Sequence, residues 1–553
     1  MSLQARIFPS ASTGRLPRPV PGISGKLKRL VLVVMLSAAG LCCGFGELHA
    51  ANVLRLGVAA SAPSNLDPHL SAGTDAVFAE MIFNGLLRYQ PGNSAVIEPD
   101  LAESLPKPKT EGGQQIWTFT LKKGVMFQPG FKQAAYEMTS EDVVYSLQKA
   151  ADPMRSAYAY RYAGMSFKAQ GPYTVQIILD KPLSATLFLP RFADRAGGSI
   201  ICRKAAEGLN AQEFQRLPVG TGPFAFKACS AEGVITLQAH KAYFRGEPLL
   251  DGVEVVYLPD FSTCEQAFQR GELQMMCGQR SSRWVNKAAR WDKTKVDEYG
   301  PAESLYLVFN TTDLPLSDKR VRKAIAYALN RREFVDLFGS PVAERLYAPV
   351  PSDMTGGVSE EDVKALGLDY DTDLVHGRRL LDQAGAAAEL DLQIERPEQD
   401  TNRYLYEVLG RQLKSIGIDL MVAGQKTAAS GQDVRPRDQA LEFRWALAES
   451  ADELLTGLLA DENTYVPAQD MGLVPGYRKV DVLIAAARRE TGLNKQQEIW
   501  KHAQIKLLED MAVYPICTIT YVVARQTSVD YGYTLSKCRT LVPPITEKTR
   551  LLQ

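Results

Sequence analysis

The segment DGVEVVYLPDFSTCEQAFQRGELQMMCG, residues 251–278, predicts a strand, a short helix and a second strand. Its two ends are apolar runs bounded by Gly or Pro, and the stretch between them has the composition and length of a helix. Because two parallel strands need a crossover of this kind, the segment indicates a βαβ unit. It therefore favours an α/β fold.

The same order of elements recurs along the chain. VLRLGVAA (53–60) has the pattern of a buried strand, and residues 319–339 form the clearest helix, which Ser317 can cap and Gly339 can end. Residues 389–424 again read strand, helix and strand. We expect two α/β modules joined by a strand near 305, with one more apolar strand at 512–526.

Length and composition exclude several classes of protein. A chain of 553 residues is too long for a single core and should divide into about three or four domain-sized parts. With 45% hydrophobic and 23% charged residues, it resembles an ordinary globular protein. Because 63 basic residues balance 63 acidic ones, no nucleic-acid partner is expected.

The N-terminus has the pattern of a secretory signal peptide. Lys26, Lys28 and Arg29 precede the apolar run LVLVVMLSAAGLCCGF, and Ala50 follows at a plausible cleavage point. A retained membrane anchor is the alternative, but the apolar run is shorter than the ~20 residues that span a bilayer. We predict that residues 1–50 are removed and that the mature chain is periplasmic.

Six cysteines remain in the predicted mature chain, which enters an oxidising compartment where disulfides form. Cys264 opens the helix of the βαβ unit and Cys277 ends its second strand, so a Cys264–Cys277 disulfide is predicted. Two buried free thiols are the alternative. The spacing of the cysteines fits neither a zinc site nor an iron–sulfur site.

The sequence contains no recognisable catalytic motif. Its five histidines are not spaced as metal ligands, and both the nucleophile elbow of serine hydrolases and the phosphate-binding loop are missing from the predicted mature chain. We therefore predict no catalytic residue, no metal site and no cofactor.

Seven segments in order resemble the peptide-binding branch, family five, of the extracellular solute-binding proteins of ABC importers. Each segment is weak alone, but together they cover nearly all of residues 52–535. They are LDPHL…IFNGLLRY, LAESL…IWTFTLKKGVMF, TSEDVVYSLQKAADP, VGTGPFAF, KAYFRGEPLLDGVEVVYLPD, DKRVRKAIAYALNRREFV and LKSIGIDL.

The resemblance implies an α/β, two-lobed periplasmic-binding-protein fold with hinged lobes and an extra small domain. The ligand lies between the lobes, and closure of the hinge separates it from water. Carried onto this sequence, the family's chain path gives domain I as 51–95, 215–305 and 526–553, domain II as 96–214, and domain III as 306–525.

The segment FRWALAESADELL, residues 443–455, holds the candidate binding residues that the resemblance implies. In peptide-binding members, a Trp followed three residues later by Asp lies in domain III, and the Asp binds the amino group of the ligand. Here Trp445 is followed at that distance by Ala448, with Glu449 one residue later and Asp452 after it.

We predict that Trp445 lines the ligand cleft and that Glu449 or Asp452 meets a cationic group of the ligand. The alternative is that Trp445 belongs to the core and both acids begin a solvated helix. The predicted substrate-binding set is completed by Arg444, Thr74, Asp75, Tyr158 and Tyr160.

The predicted function is that of a solute-binding receptor of an ABC importer, which captures a peptide or similar small amine-bearing ligand and delivers it to an inner-membrane permease. No enzymatic activity is expected, and the chain is predicted to be a monomer. The alternatives are a sensory or hydrolytic exported protein with the same fold, and a receptor for a sugar, an opine or a metal chelate.

Overall fold

The structure is a computed structural model. It describes residues 52–312, 314–386, 390–397, 403–425, 441–448, 450–459 and 477–552. The predicted signal peptide, residues 1–50, and the candidate site residue Glu449 lie outside this described part. Among the described residues, no helix is both long and apolar enough to span a lipid bilayer.

The strands are β1 (Val53–Ala59), β2 (Leu87–Gln90), β3 (Asn93–Pro99), β4 (Pro108–Glu111), β5 (Gln114–Thr120), β6 (Met165–Ala169), β7 (Thr174–Leu179), β8 (Phe224–Cys229), β9 (Val234–Ala239), β10 (Gly252–Leu258), β11 (Met275–Cys277), β12 (Thr294–Phe309), β13 (Ala343–Arg345), β14 (Leu390–Pro397), β15 (Ile418–Gln425), β16 (Leu441–Ala446), β17 (Val513–Gln526), β18 (Val529–Asp530) and β19 (Arg550–Leu551).

The α-helices are α1 (Ala79–Ile82), α2 (Ser140–Ala150), α3 (Ala185–Phe188), α4 (Pro190–Ala193), α5 (Arg195–Gly198), α6 (Arg203–Gly208), α7 (Ala211–Phe214), α8 (Phe261–Gln269), α9 (Ser282–Ala288), α10 (Lys319–Ala328), α11 (Arg331–Phe338), α12 (Glu360–Ala365), α13 (Leu374–Ala384), α14 (Arg403–Lys414), α15 (Ala451–Leu459), α16 (Asp481–Arg489) and α17 (Leu493–Glu509). Short 3₁₀ helices occupy Gly73–Ala76 and Ala159–Tyr162.

The largest sheet contains nine of the described strands. Eight follow the order β16–β12–β17–β11–β1–β10–β9–β8, and β13 pairs with β17. Strands β10 and β11 lie on either side of β1 and run parallel to it, with α8 between them in the chain. The βαβ unit predicted at 251–278 is therefore confirmed, because its two strands are parallel members of one sheet.

The two longest strands, β12 and β17, pair with each other in antiparallel fashion. Their ladder extends from Thr294 opposite Gln526 to Val308 opposite Val513, with register shifts after Tyr299 and after Leu305. Such irregularities bend and twist a strand pair. The strand predicted near 305 and the apolar strand predicted at 512–526 are thus neighbours in the same sheet.

A separate four-stranded sheet, β4–β5–β7–β6, has a hydrophobic cluster of its own. Trp117 of β5 is buried there and stacks on Phe188, with 4.0 Å between the ring centroids. Along this strand Trp117 and Phe119 are buried, whereas Thr118 and Thr120 are exposed, as expected for a strand with one face on a core. This sheet falls inside the range predicted for domain II, and the domain boundaries remain a prediction.

The helix predicted over 319–339 is divided into α10 and α11. Asp318 rather than Ser317 caps α10, because its carboxylate accepts the backbone N–H of Arg320 at 2.8 Å. Asn330 then accepts the N–H of Arg332 at 3.0 Å and starts α11 as a new helix. Gly339 ends α11 as predicted, at a φ of 80° that favours glycine.

The predicted Cys264–Cys277 disulfide is absent, since both thiols are free. Cys264 belongs to the cluster between α8 and the sheet, together with Met276 of β11. Cys277 packs against the cluster on the other face of the sheet, as Met275 does. Because successive side chains of a strand point to opposite faces, the last residue of β11 faces away from α8.

Candidate functional site

A cleft of about 250 Å³ opens where β12 and β16 end, and we call it the β16 cleft. The residues that line it come from β12, from β16 and the residues after it, from α15 and from two loops. They are Pro301, Glu303, Ser304, Pro351, Met354, Ala446, Ala448, Leu454 and Arg539. Residues distant in sequence therefore meet in one concave site of mixed polar and apolar character.

The pairing of β16 with β12 decides which side chains face this cleft. Ala446 lies opposite Ser304 and lines the cleft, whereas Trp445 lies opposite Leu305 on the other face. Trp445 is partly buried, packs against the main core and meets Phe338 edge to face, with ring centroids 5.8 Å apart. The strand thus presents Ala446 rather than Trp445 to the described cleft, and contact of Trp445 with a ligand remains a prediction.

Asp452 is buried and already paired within the chain. Arg488 Nε donates to both of its carboxylate oxygens at 3.0 Å. Burial raises the pKa of Asp452 above its usual value, although Arg488 opposes this shift. Arg444 is likewise paired, with Glu442 at 2.5 Å. Both predicted binding residues, Asp452 and Arg444, therefore already form ion pairs within the protein.

Three other predicted binding residues, Thr74, Asp75 and Tyr158, lie in or beside the short helix Gly73–Ala76. Tyr158 donates from its hydroxyl to the Ser71 carbonyl at 2.6 Å, just before this helix. Within the helix, the Thr74 carbonyl accepts from the Tyr257 hydroxyl at 2.9 Å, and Asp75 is partly buried. The structure thus brings Tyr158 close to the segment that carries Thr74 and Asp75.

Arg161 connects this group of residues to α15. It follows Tyr160, which is partly buried, and it forms ion pairs with Asp194 and with Glu453, the latter at 3.1 Å. Burial alone would lower the pKa of Arg161, but the two carboxylates raise it above its usual value. Arg161 therefore links the segment that carries Tyr158 and Tyr160 with the start of α15, next to Asp452.

A second and larger cavity, which we call the polar pocket, has about 590 Å³ of space between its atoms. Charged and hydroxyl-bearing side chains form much of its wall. They include Glu80, Arg88, Tyr89, Arg195, Tyr243, Thr546 and Glu547. This space is partly open to solvent, and groups of both charges line it.

The sequence prediction did not identify Arg161, Glu453, Glu303, Arg539 or the wall of the polar pocket. Two of these residues directly follow residues that were predicted, since Arg161 follows Tyr160 and Glu453 follows Asp452. Their position next to predicted residues could have identified Arg161 and Glu453 from the sequence. Glu303 and Arg539 lie far apart in the chain and meet only in the folded sheet.

Comparison with known families gives one match. The family model described as bacterial extracellular solute-binding proteins, family 5 Middle, matches residues 96–453. The match covers more than half of the chain and includes both Arg161 and Glu453.

Two curated relatives with differently named ligands are similar over 91% and 66% of this chain. The di/tripeptide-binding protein 1 of Pseudomonas aeruginosa is 23% identical over 540 residues, which cover 91% of this chain and 96% of that protein. The nickel-binding periplasmic protein of Escherichia coli is 25% identical over 384 residues, which cover 66% of this chain and 70% of that protein. Proteins with different named ligands are thus similar to this chain.

Solved structures share the fold. The periplasmic binding protein MoaA of A. tumefaciens R10, in complex with mannopinic acid, is 30% identical with a TM-score of 0.75, covering 91% of this chain and all of that one. DppA of Helicobacter pylori, in complex with the peptide STSA, has a TM-score of 0.72 at 22% identity, covering 91% and 98%. The predicted α/β periplasmic-binding-protein fold is therefore confirmed.

Proposed function

Because the chain belongs to the bacterial extracellular solute-binding proteins of family 5, we propose that it captures a peptide or similar small amine-bearing solute and delivers it to an ABC permease. The observation that carries the proposal is the similarity of nearly the full chain to solute-binding proteins, whose whole length it also covers. Binding without chemical change is the proposed activity.

The contacts around the β16 cleft support this function. Arg161 forms an ion pair with Glu453, and Arg539 donates to the Ala448 carbonyl at 3.3 Å. Both contacts connect segments from different predicted domains. Contacts of this kind suit a protein whose domains close around a solute and separate again to release it.

The class of solute is argued from the charges near the cleft. The polar pocket, whose lining residue Cys538 directly precedes Arg539 of the cleft, has acidic and basic side chains in its wall, so that a ligand with an ammonium and a carboxylate would find a partner for each. Peptides have both groups, and the named ligands of several relatives are di- or tripeptides. A peptide or another amino-acid derivative therefore fits the site best.

An opine is the second candidate. Ala448 stands where the family resemblance implies a ligand-binding Asp, which argues against ordinary recognition of a peptide amino terminus. In addition, the similar MoaA protein, at 30% identity, was solved with mannopinic acid. An opine is an amino-acid derivative, so it would keep a zwitterionic group while lacking a peptide bond.

We infer that the protein works in the periplasm. The proposal includes a signal peptide cleaved after Ala50, a monomeric mature chain, an inner-membrane permease as partner and no nucleic-acid partner. It also includes the three domains with the boundaries predicted from the sequence. The basic and apolar pattern of the first 50 residues supports export.

Native mass spectrometry of the mature chain, purified from periplasmic extract, tests the proposal. We expect a co-purified solute whose mass fits a short peptide or an opine, and calorimetry should show one-to-one binding of the same compound. Recovery of the intact compound after prolonged incubation would separate binding from hydrolysis. A protein that binds neither class, or that cleaves the added peptide, would contradict the proposal.

A further inference from the structure

Among the described residues, the acid that lines the β16 cleft and the two acids at the start of α15 are paired with arginines of the chain itself. In each pair, the guanidinium already neutralises the acid, so that an incoming ammonium would have to compete with it. The pairs are Glu303 with Arg280, Asp452 with Arg488, and Glu453 with Arg161.

The polar pocket contains two acids without such partners. Glu80 and Glu547 line it, and neither carboxylate has a hydrogen bond or ion pair in the part of the chain that the structure describes. Glu547 is only 7% exposed. A carboxylate removed from water without a partner is unfavourable, and a bound cation would offset that cost.

The same pocket offers a donor for an anionic group. Arg195 lines it and uses Nη2 to bind Asp100 at 3.0 Å, whereas its Nη1 is buried with no hydrogen-bond partner among the described residues. Asn84 holds the wall beside it by donating to the Tyr243 hydroxyl at 3.1 Å. The pocket therefore has acids for a cation and one free guanidinium nitrogen for an anion or hydroxyl.

The polar pocket lies next to the β16 cleft. Cys538 lines the pocket, and Arg539, the next residue, lines the cleft. On the other side, Ala193 and Arg195 line the pocket. Asp194, between them, binds Arg161, the residue that is also paired with α15 beside the cleft.

We propose that the polar pocket, rather than the β16 cleft, holds the charged end of the solute. The ammonium lies between Glu80 and Glu547, and a carboxylate or hydroxyl oxygen accepts from Arg195 Nη1. This inference rests on the proposed function and names the substrate class, a small zwitterionic amino-acid derivative. It makes Glu80, Glu547 and Arg195 the residues that determine specificity.

The electrostatics of the pocket agree with this role. Burial raises the pKa of Glu80, even though Arg195 opposes the shift, so the pocket itself disfavours the negative charge. A cation beside Glu80 would stabilise the ionised carboxylate and lower that pKa again. Binding of an amine should therefore release protons from Glu80 near the pH of its titration.

Calorimetry with two probes, mannopinic acid and the dipeptide alanyl-alanine, tests the inference. For a probe that binds the unchanged protein, Glu80→Gln and Glu547→Gln should each weaken binding about 10- to 100-fold, as expected for loss of a charge-assisted contact. The N-acetylated dipeptide, which has no ammonium, should bind weakly to the unchanged protein and lose nothing further in either variant.

Two matched control variants distinguish an effect in the polar pocket from an effect in the β16 cleft or at an exposed acid. Glu303→Gln changes the acid of the β16 cleft, and Glu272→Gln changes an exposed acid that is paired with Arg270. Glu272→Gln should bind within about twofold of the unchanged protein, and Glu303→Gln should lose less affinity than either pocket variant. Because glutamine keeps the shape of glutamate, the pocket variants should unfold at the same temperature as the unchanged protein or higher.

Two outcomes would overturn the inference in different ways. If a probe binds the unchanged protein and both pocket variants equally well, the polar pocket is not the site of the charged group, while the proposed function stands. If neither probe binds the unchanged protein, the proposed ligand class fails and this inference fails with it.

Discussion

Replacement of Lys149 by methionine tests how the segment before the helix Gly73–Ala76 is held. Lys149 Nζ donates to both carboxylate oxygens of Asp67, at 2.9 and 2.7 Å, and the two side chains are only 6% and 4% exposed. In Lys149→Met the apolar chain can remain, but the buried carboxylate loses its cation. Removal of one partner from a buried ion pair costs about 3–5 kcal/mol, and we expect that loss in the free energy of unfolding.

Equilibrium unfolding in urea measures the effect, followed by both fluorescence and circular dichroism so that a transition with intermediates is recognised. The matched variants are Asp67→Asn and the double variant. Because the double variant has no unpaired charge, it should be less destabilised than the sum of the two single changes. A loss below about 1 kcal/mol in Lys149→Met, or full additivity in the double variant, would refute the reasoning.

Three further predictions concern pH and the site. His69 is buried, and burial with Lys149 beside it lowers its pKa from 6.5 to about 4. As the pH falls, His69 therefore binds a proton in the unfolded protein before it does so in the folded one. The free energy of unfolding should drop by about 3 kcal/mol between about pH 6.5 and pH 4. Urea titrations at several pH values should show that His69→Gln removes this dependence. Asp452→Asn should lower the unfolding temperature, since Arg488 loses its partner. In calorimetry, ligand affinity should stay within about twofold, whereas a large loss of affinity would support Asp452 as a binding residue. Glu449→Gln should leave solute binding within about twofold if the polar pocket holds the ammonium, whereas a loss of about 1.5–3 kcal/mol would indicate that Glu449 replaces the family's Asp.

The fold class could be predicted from local sequence patterns, whereas helix boundaries and cysteine pairing depend on contacts that are made only in the folded protein. Residues 251–278 predict two parallel strands, because the apolar stretches, the helix between them and the Gly and Pro residues that bound them all lie within one short segment. The division of residues 319–339 depends on one side chain, Asn330, which caps a second helix inside a continuous helical pattern. The missing Cys264–Cys277 bond depends on strand alternation, which sends the last side chain of β11 to the opposite face.

The site was predictable only in part, for the same reason. Some residues that the resemblance implies come together in the fold, because Tyr158 contacts the segment before Thr74, and Asp452 directly precedes Glu453, which pairs with Arg161. It did not reveal that Asp452 is already paired. The wall of the polar pocket combines Glu80 with Glu547, near opposite ends of the chain, and no local pattern relates two residues so far apart.

The long ladder between β12 and β17 has a consequence for how the molecule exchanges its amide hydrogens with solvent. Deuterium should enter this ladder slowly on both sides of the irregularity that follows Tyr299, because those amides are bonded within the largest sheet. Between Tyr299 and Glu303 the paired register is interrupted, so we expect a short, fast-exchanging window inside an otherwise protected pair of strands. If the solute stiffens this window, its uptake of deuterium will slow on binding, and mass spectrometry can then report occupancy without any label on the ligand.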